Sequence, residues 1–328
     1  MCTALNFAVD NNHYFGRNLD LELSYGQKIV ITPQNYSFDF KDVKTLDHHY
    51  ALVGIAAVMN NYPLYFDAAN DQGLAMGGLN YPDNAHYTEV AAGKDNVTSF
   101  ELIPWVLSQC ANVDEAKELL ANVNITNKSF SDQLPTSPLH WLIADGDKAI
   151  VLESDIDGVH VYDDPVGVLT NNPQFPKQLF NLNNYRTLSA DTLPNTFSKQ
   201  VELTDFSRGL GTRDLPGGMD SMSRFVRATF NKYNAHWDEH DEVANVTQLF
   251  HVMHSVEQQS GLDQVASNPA KFEHTIYTVG YNLDKGLAYY TTYTNNQINL
   301  VDMNKEDLAG DQLVSYPFIN DQNINNVN

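Results

Sequence analysis

The chain has 328 residues, 42% of them hydrophobic and 18% charged, a balance that excludes a disordered chain and leaves enough length to bury a large core. Its formal charge of −22, with only 19 Lys and Arg scattered along it, excludes nucleic acid and anionic membrane surfaces as partners, because both need clustered cations. No apolar run approaches the ~20 residues of a membrane span, and the opening Met-Cys-Thr-Ala lacks the basic and apolar segments of a signal peptide, so a cytoplasmic protein without a lipid anchor is expected.

Length alone would allow two domains, but no linker, composition break or repeat divides the sequence, and one domain over 1–328 is expected. Cys2 and Cys110 are its two cysteines, which suggests no disulfide framework and fits a reducing compartment. The Asn-x-Ser/Thr matches at Asn96, Asn124, Asn127 and Asn245 read as chance in an Asn-rich chain without a secretion signal.

Residues 3–9 alternate, with Leu5, Phe7 and Val9 on one face, and Asp10-Asn11-Asn12 supplies turn residues before an extended pattern resumes at 13–17. A hairpin is predicted. If Asn11-Asn12 is its two-residue turn, Asp10 pairs with His13, Asn6 faces Arg17, Thr3 faces Asp20, and Cys2 lies near Arg17 and Asp20. Strict pleating puts Arg17 on the Cys2 face and Asp20 on the other, unless the strand bulges or ends near Asn18.

Thr98-Ser99-Phe100-Glu101 has the capping-box pattern and opens a helix through Leu102, Ile103, Val106 and Leu107, with a second helix over 114–120. Alternating runs at 141–144, 149–153 and 159–162, separated by Asp/Gly turns, predict antiparallel strands. Helices are predicted over 221–233 and 245–258, then strands at 275–282 and 287–294. The order strands, helices, strands, helices, strands suits an α+β fold, an αββα sandwich of two antiparallel sheets flanked by helices, better than a parallel βαβ fold. Residues 187–217 show no periodicity, a long stretch for a structureless loop, and are expected to pack on something, another subunit being one candidate.

The chemistry converges on Cys2. A thiol is a strong nucleophile once its proton is removed, and Cys2 becomes N-terminal when Met1 is trimmed, so its own α-amine can act as base without a catalytic His. Arg17 close by favours the neutral amine and the thiolate, and Asp20 can accept from the ammonium. The pairs His48-His49, His236/His240 and His251/His254 lack clustered carboxylates or cysteines and read as structural or surface, so no metal is expected. Cys110, beside Trp105 and Val106, reads as a buried small hydrophobe.

M-C-T-A at 1–4 and F-G-R-N-L-D at 15–20 resemble the choloylglycine hydrolase family, which comprises bile salt hydrolases and penicillin V acylases of the N-terminal-nucleophile superfamily. G-L-N-Y-P at 78–82, S-P-L-H-W at 137–141, G-V-L-T-N-N-P at 167–173 and S-M-S-R-F at 221–225 extend the resemblance over nearly the whole chain. It implies the αββα fold, Cys2 as nucleophile with Arg17 and Asp20 around it, an oxyanion-hole amide at Asn80, a polar anchor at Asn171 with Asn172 as the alternative, and a site arginine at Arg224. It implies no cofactor, and a homotetramer in which 187–217 resembles the assembly loop.

Asn80 stands where penicillin V acylases generally carry tyrosine, so the likeness favours glycine- or taurine-conjugated bile salts as substrates. Leu19, Tyr25 and Phe66 are candidates to line a pocket for a flat apolar steroid, with core packing the competing explanation for Leu19 and Phe66. Penicillin V or N-acyl homoserine lactone acylase is the alternative activity. A non-catalytic binding protein of the same fold is the other alternative, against which Cys2, Arg17 and Asp20 count, because such a protein has no chemical need of an N-terminal thiol.

Overall fold

The structure is a computed structural model that describes residues 1–238 and 240–328. Strands β1 (Cys2–Val9) and β2 (Asn12–Leu21) form a hairpin, followed by β3 (Lys28–Thr32), β4 (Leu52–Met59), β5 (Tyr62–Asn70), β6 (Ala75–Asn80) and β7 (Asp95–Thr98). Helices α1 (Leu102–Leu107) and α2 (Val113–Leu120) precede β8 (Val123–Thr126), β9 (Leu139–Ala144), β10 (Ala149–Asp155), β11 (Gly158–Asp163) and β12 (Val168–Leu169). Helices α3 (Phe175–Asn181), α4 (Ser221–Asn234) and α5 (Glu242–His254) lead to β13 (Asp263–Gln264), β14 (Phe272–Asn282), β15 (Leu287–Thr292), β16 (Asn295–Asp302) and β17 (Val314–Tyr316).

One sheet runs β12-β1-β2-β14-β15-β16 with β13 on β14, and the other runs β11-β10-β9-β6-β5-β4-β3-β17; a separate parallel pair joins β7 and β8. Ile29, Ile31, Val53, Ile55, Leu142 and Val151 of the second sheet share one core with Phe15, Leu19, Tyr277 and Val279 of the first. Their strand neighbours Val30, Leu52, Ile143, Ile150 and Leu152 point the other way, into a second core under α1 and α2. Val246, Leu249 and Met253 of α5 and Phe225 and Ala228 of α4 cover the far face of the first sheet. The predicted αββα layering is therefore present, with each sheet apolar on both faces.

The hairpin register differs from the predicted one by two residues. The turn is Asp10-Asn11, with Val9 opposite Asn12, Ala4 opposite Arg17 and Cys2 opposite Leu19. Asp10 takes the positive φ of 49° that a tight hairpin turn of matching twist requires, which Asp tolerates as well as Asn. Because the offset is even, every side chain keeps its predicted face.

Other boundaries shift for local reasons. Glu101 reaches back to the Thr98 N–H at 3.4 Å, but Thr98 Oγ1 caps nothing among the described residues, so half of the capping box forms and α1 starts at Leu102. Helix α5 starts at Glu242 because Asp241 accepts from Ala244 N at 3.0 Å, and it ends at His254, short of 258. The run 287–294 is a strand only to Thr292, after which the chain turns into β16. Within 187–217 a 3₁₀ turn spans Leu210–Thr212, and Phe197 and Phe206 stand exposed.

Candidate active site

Cys2 is the first residue of β1, so the sheet ladder and not a loop fixes its place. Its side chain shares a face with Arg17, whose Nη2 lies 3.5 Å from Sγ, and the residue is 2% exposed. Arg17 crosses from the first sheet to the second: Nη2 donates to Gly78 O at 2.5 Å and Nη1 to Asp67 Oδ2 at 2.9 Å on β5. Tyr277 and Tyr281, on β14, both donate hydroxyl hydrogen bonds to the Asp67 carboxylate. Burial disfavours the charge of Arg17, but Tyr277, Cys2 and Asp67 outweigh it and hold the guanidinium above its ordinary value. Burial raises the Asp67 carboxyl against the opposing pull of Arg17 and the two tyrosines.

Arg224 grips the backbone of Cys2 from α4, a helix capped by Asp220, which accepts from Ser223 N at 3.0 Å. Nη1 donates to Cys2 O at 2.5 Å and to Thr3 Oγ1 at 2.7 Å, and Nη2 donates to Asn171 Oδ1 at 2.7 Å. The same Asn171 oxygen accepts Cys2 N–H at 2.9 Å, and Asn171 Nδ2 donates to Asn80 O at 2.6 Å. Asn172 turns elsewhere, donating to Pro82 O at 2.6 Å, so Asn171 is the asparagine that meets Cys2. Asn80 ends β6, half-buried, with its side-chain amide free of hydrogen bonds among the described residues. Burial lowers the Arg224 guanidinium from its ordinary value, partly offset by Asp20 and Cys2.

Asp20 lies beside Cys2 along the chain path but faces the helices, as the pleat requires. Its backbone N–H donates to Met1 O at 2.9 Å and its carbonyl accepts the Met1 ammonium at 2.6 Å. Glu273 binds the same ammonium. The Asp20 carboxylate takes the Thr275 hydroxyl at 2.6 Å, while its other oxygen is buried without a partner among the described residues. Burial raises this carboxyl, opposed by the terminal ammonium and Arg224.

Of the pocket candidates, Leu19 sits in the core opposite Cys2, Tyr25 is exposed, and Phe66 packs 6.0 Å from the Tyr25 ring. Asp67, Tyr277 and Tyr281 escaped the sequence reading, and Thr3 entered it only as the residue facing Asp20, not as a partner of Arg224. A single Asp in the apolar run 64–69 is the one signal that could have pointed to Asp67. Cys110 is buried in the α1–α2 connection, and burial with the nearby Glu115 pushes its thiol up to about 12. Among the described residues, the one grouping of metal-ligating type is Asp155, Asp157 and His160 on the β10–β11 turn, where His160 already pairs with Asp157 at 3.0 Å and Tyr81 with Asp155 at 2.9 Å. No helix of the described residues is long and apolar enough to cross a membrane.

A bile salt hydrolase/transferase of Lactiplantibacillus plantarum is 51% identical over 317 residues, covering 97% of both chains, and one of Clostridium perfringens is 36% identical over 100% of both. The crystal structure of the mutant C2A conjugated bile acid hydrolase from Clostridium perfringens matches with a TM-score of 0.91 at 36% identity over 100% of both chains. A penicillin V acylase from Agrobacterium tumefaciens, at 20% identity, a TM-score of 0.76 and coverage of 96% and 91%, shares the fold, which is that of the N-terminal-nucleophile hydrolases. Residues 2–316 match the linear amide C–N hydrolases, choloylglycine hydrolase family, and the chain belongs to that family.

Proposed function

We propose that this chain, with Met1 removed, hydrolyses the amide bond of glycine- or taurine-conjugated bile salts, with the Cys2 thiol as nucleophile and the Cys2 α-amine as base. The observation that carries it is the grip on Cys2: Asn171 holds its nitrogen at 2.9 Å, Arg224 its carbonyl at 2.5 Å, and Arg17 stands 3.5 Å from its sulfur. A residue clamped at both backbone ends can hold its amine and thiol in one fixed relation. The names of the relatives at 51% and 36% identity supply the substrate class.

In this reading the Cys2 thiolate attacks the amide carbonyl and the charge developing on oxygen is met by the free side-chain amide of Asn80. The α-ammonium gives its proton to the departing nitrogen of glycine or taurine as the C–N bond breaks, leaving a thioester. Water then attacks, the amine takes a proton from it, and the acyl group leaves as free bile acid while the thiol is restored. Asn171 keeps the amine oriented, Arg224 holds Asn171, and the buried Asp20 carboxylate supplies negative charge near the ammonium. Tyr25 and Phe66 offer the apolar surface for the steroid.

The test is to incubate the pure protein with taurocholate, glycocholate and penicillin V and measure the amine released from each. Higher kcat/KM for the conjugated bile salts is expected; equal or reversed values reject the substrate assignment.

The finer expectations belong to the same proposal: one domain, a cytoplasmic location supported by two unpaired thiols, and a homotetramer supported by the exposed Phe197, Leu203 and Phe206 in 187–217. Light scattering should give the mass of a tetramer, and a monomer at micromolar concentration would exclude it.

A further inference from the structure

The sequence singles out S-P-L-H-W at 137–141, yet none of the reaction steps above uses it. His140 lies on β9 directly opposite Leu79, one residue before Asn80, and is closed to solvent. The Tyr81 ring, one residue after Asn80, stacks on the imidazole at 4.3 Å with planes 6° apart. The imidazole edge reaches the segment that follows β12 of the other sheet: Nε2 lies 2.9 Å from Thr170 O, one residue before Asn171. Nδ1 lies 3.0 Å from Glu153 Oε1, and that same oxygen accepts Phe175 N–H at 2.9 Å.

Both ring nitrogens therefore lie against oxygens, one of a carboxylate and one of a backbone carbonyl. The segment that carries Asn171 is fastened at its start through Thr170 O to His140 and at its end through Phe175 N to Glu153. The strand end that carries Asn80 is fastened through Tyr81 to the face of the same imidazole. Thr170 Oγ1 ties this segment further to Ser221 on α4, the helix of Arg224, and to Gln178 on α3.

The geometry points to His140, paired with Glu153, as a positioning residue that sets the placement of Asn80 relative to Asn171, and so of the oxyanion donor relative to Cys2. It touches neither substrate nor thiol. An error of about 1 Å in such placement costs on the order of 10²-fold in rate, comparable to losing one oxyanion donor. Since Asn80 acts on the developing charge and not on the bound substrate, the loss falls on kcat.

This inference rests on the hydrolase reading. If the unmodified protein releases no glycine from glycocholate, that reading fails; if it does and the His140 variants match it, only the present inference fails. His140→Phe keeps a ring to stack on Tyr81 and removes both polar contacts; His140→Gln, which has polar atoms at one end only and no ring to stack, serves if the first variant does not fold.

For folded variants, kcat with glycocholate is expected to fall about 10²-fold with KM within about threefold, while iodoacetamide alkylates Cys2 within about twofold of the unmodified rate. Glu153→Leu should behave as His140→Phe does, and Glu153→Gln, which retains the oxygen for both donors, should recover at least about tenfold of that loss. An unchanged kcat in a folded His140 variant overturns the inference. So does a loss of kcat matched by an equal loss of alkylation rate and of cooperative melting, the pattern of a merely structural role.

Discussion

Arg17 and Asp67 meet in the space between the two sheets, Nη1 to Oδ2 at 2.9 Å, with 1% and 0% of their side chains exposed. The pair ties the strand that faces Cys2 to β5 of the opposite sheet, so the group nearest the thiol is fixed by a contact 50 residues away in sequence. Tyr277 touches both partners, donating to Asp67 and accepting from Arg17 Nη1 at 2.6 Å. The Arg17 hydrogen bonds to Asp67 and Tyr277 are thus made to groups that are themselves held.

Asp67→Ala leaves a buried guanidinium without its counter-charge and should cost about 3–5 kcal/mol of stability. Asp67→Asn keeps one acceptor oxygen of the two and should cost less. Urea unfolding of both variants measures this, and a loss below about 1 kcal/mol for the alanine variant would show that the charge is relieved in some other way.

The two thiols should separate cleanly. With Cys110 pushed up to about 12, only about 10⁻⁴ of it is thiolate at pH 8, so iodoacetamide should label Cys2 first and inactivation should follow that label. Cys110→Ser should keep its activity, Cys2→Ser should fold and lose nearly all turnover, and a chain that retains Met1 should be inactive because its base is tied up in a peptide bond. An active preparation whose intact mass includes Met1 would refute the N-terminal-nucleophile mechanism for this protein.

Asn80→Ala should lower kcat by about 10²–10³ and change KM far less, as expected of a donor that acts on the developing oxyanion. Steady-state kinetics with glycocholate decide this. An effect confined to KM would reassign Asn80 to substrate binding.

Asp164 carries a pH dependence of stability. Its carboxylate accepts Val166, Gly167 and Val168 N–H at 2.8–2.9 Å, yet burial pushes it up to about 6. Between about pH 4, the unfolded value, and pH 6 the folded chain binds more protons than the unfolded one, so the stabilisation present below pH 4 is lost as pH rises through 6. The rise to about 6 amounts to at most about 3 kcal/mol. The unfolding free energy of the unmodified protein minus that of Asp164→Asn should decline across this window and level off above it; a flat or rising difference would contradict the assignment.

What was legible in the sequence followed from chemistry with a short range. Cys2, Arg17 and the pleat that turns Asp20 away lie within one hairpin, and alternation alone places them. Asn80, Asn171 and Arg224 come from distant elements, and their convergence on Cys2 is carried by the family resemblance and not by spacing. Strands β3 to β6 left no alternating signal because both of their faces are covered: Ile29 and Ile31 enter one core, Val30 the other, and no polar face marks the period. Asp67 was hidden for the same reason, a polar residue in an apolar run whose partners, Arg17, Tyr277 and Tyr281, arrive from the opposite sheet.

The Asp10-Asn11 turn, 49° in φ at Asp10, has a bearing on which length variants of this hairpin can exist. Adding or deleting one residue on one side of it, if carried into the ladder, would swing the Arg17 guanidinium out from between the sheets and bring Asn18 in, leaving Cys2 opposite an amide and Asp67 opposite nothing charged. Two residues would restore the faces while moving Arg17 a full pleat along the strand. Homologous hairpins that keep the arginine should therefore differ in length only outside the ladder, in the loop tip, where a bulge can absorb the change before it reaches the thiol.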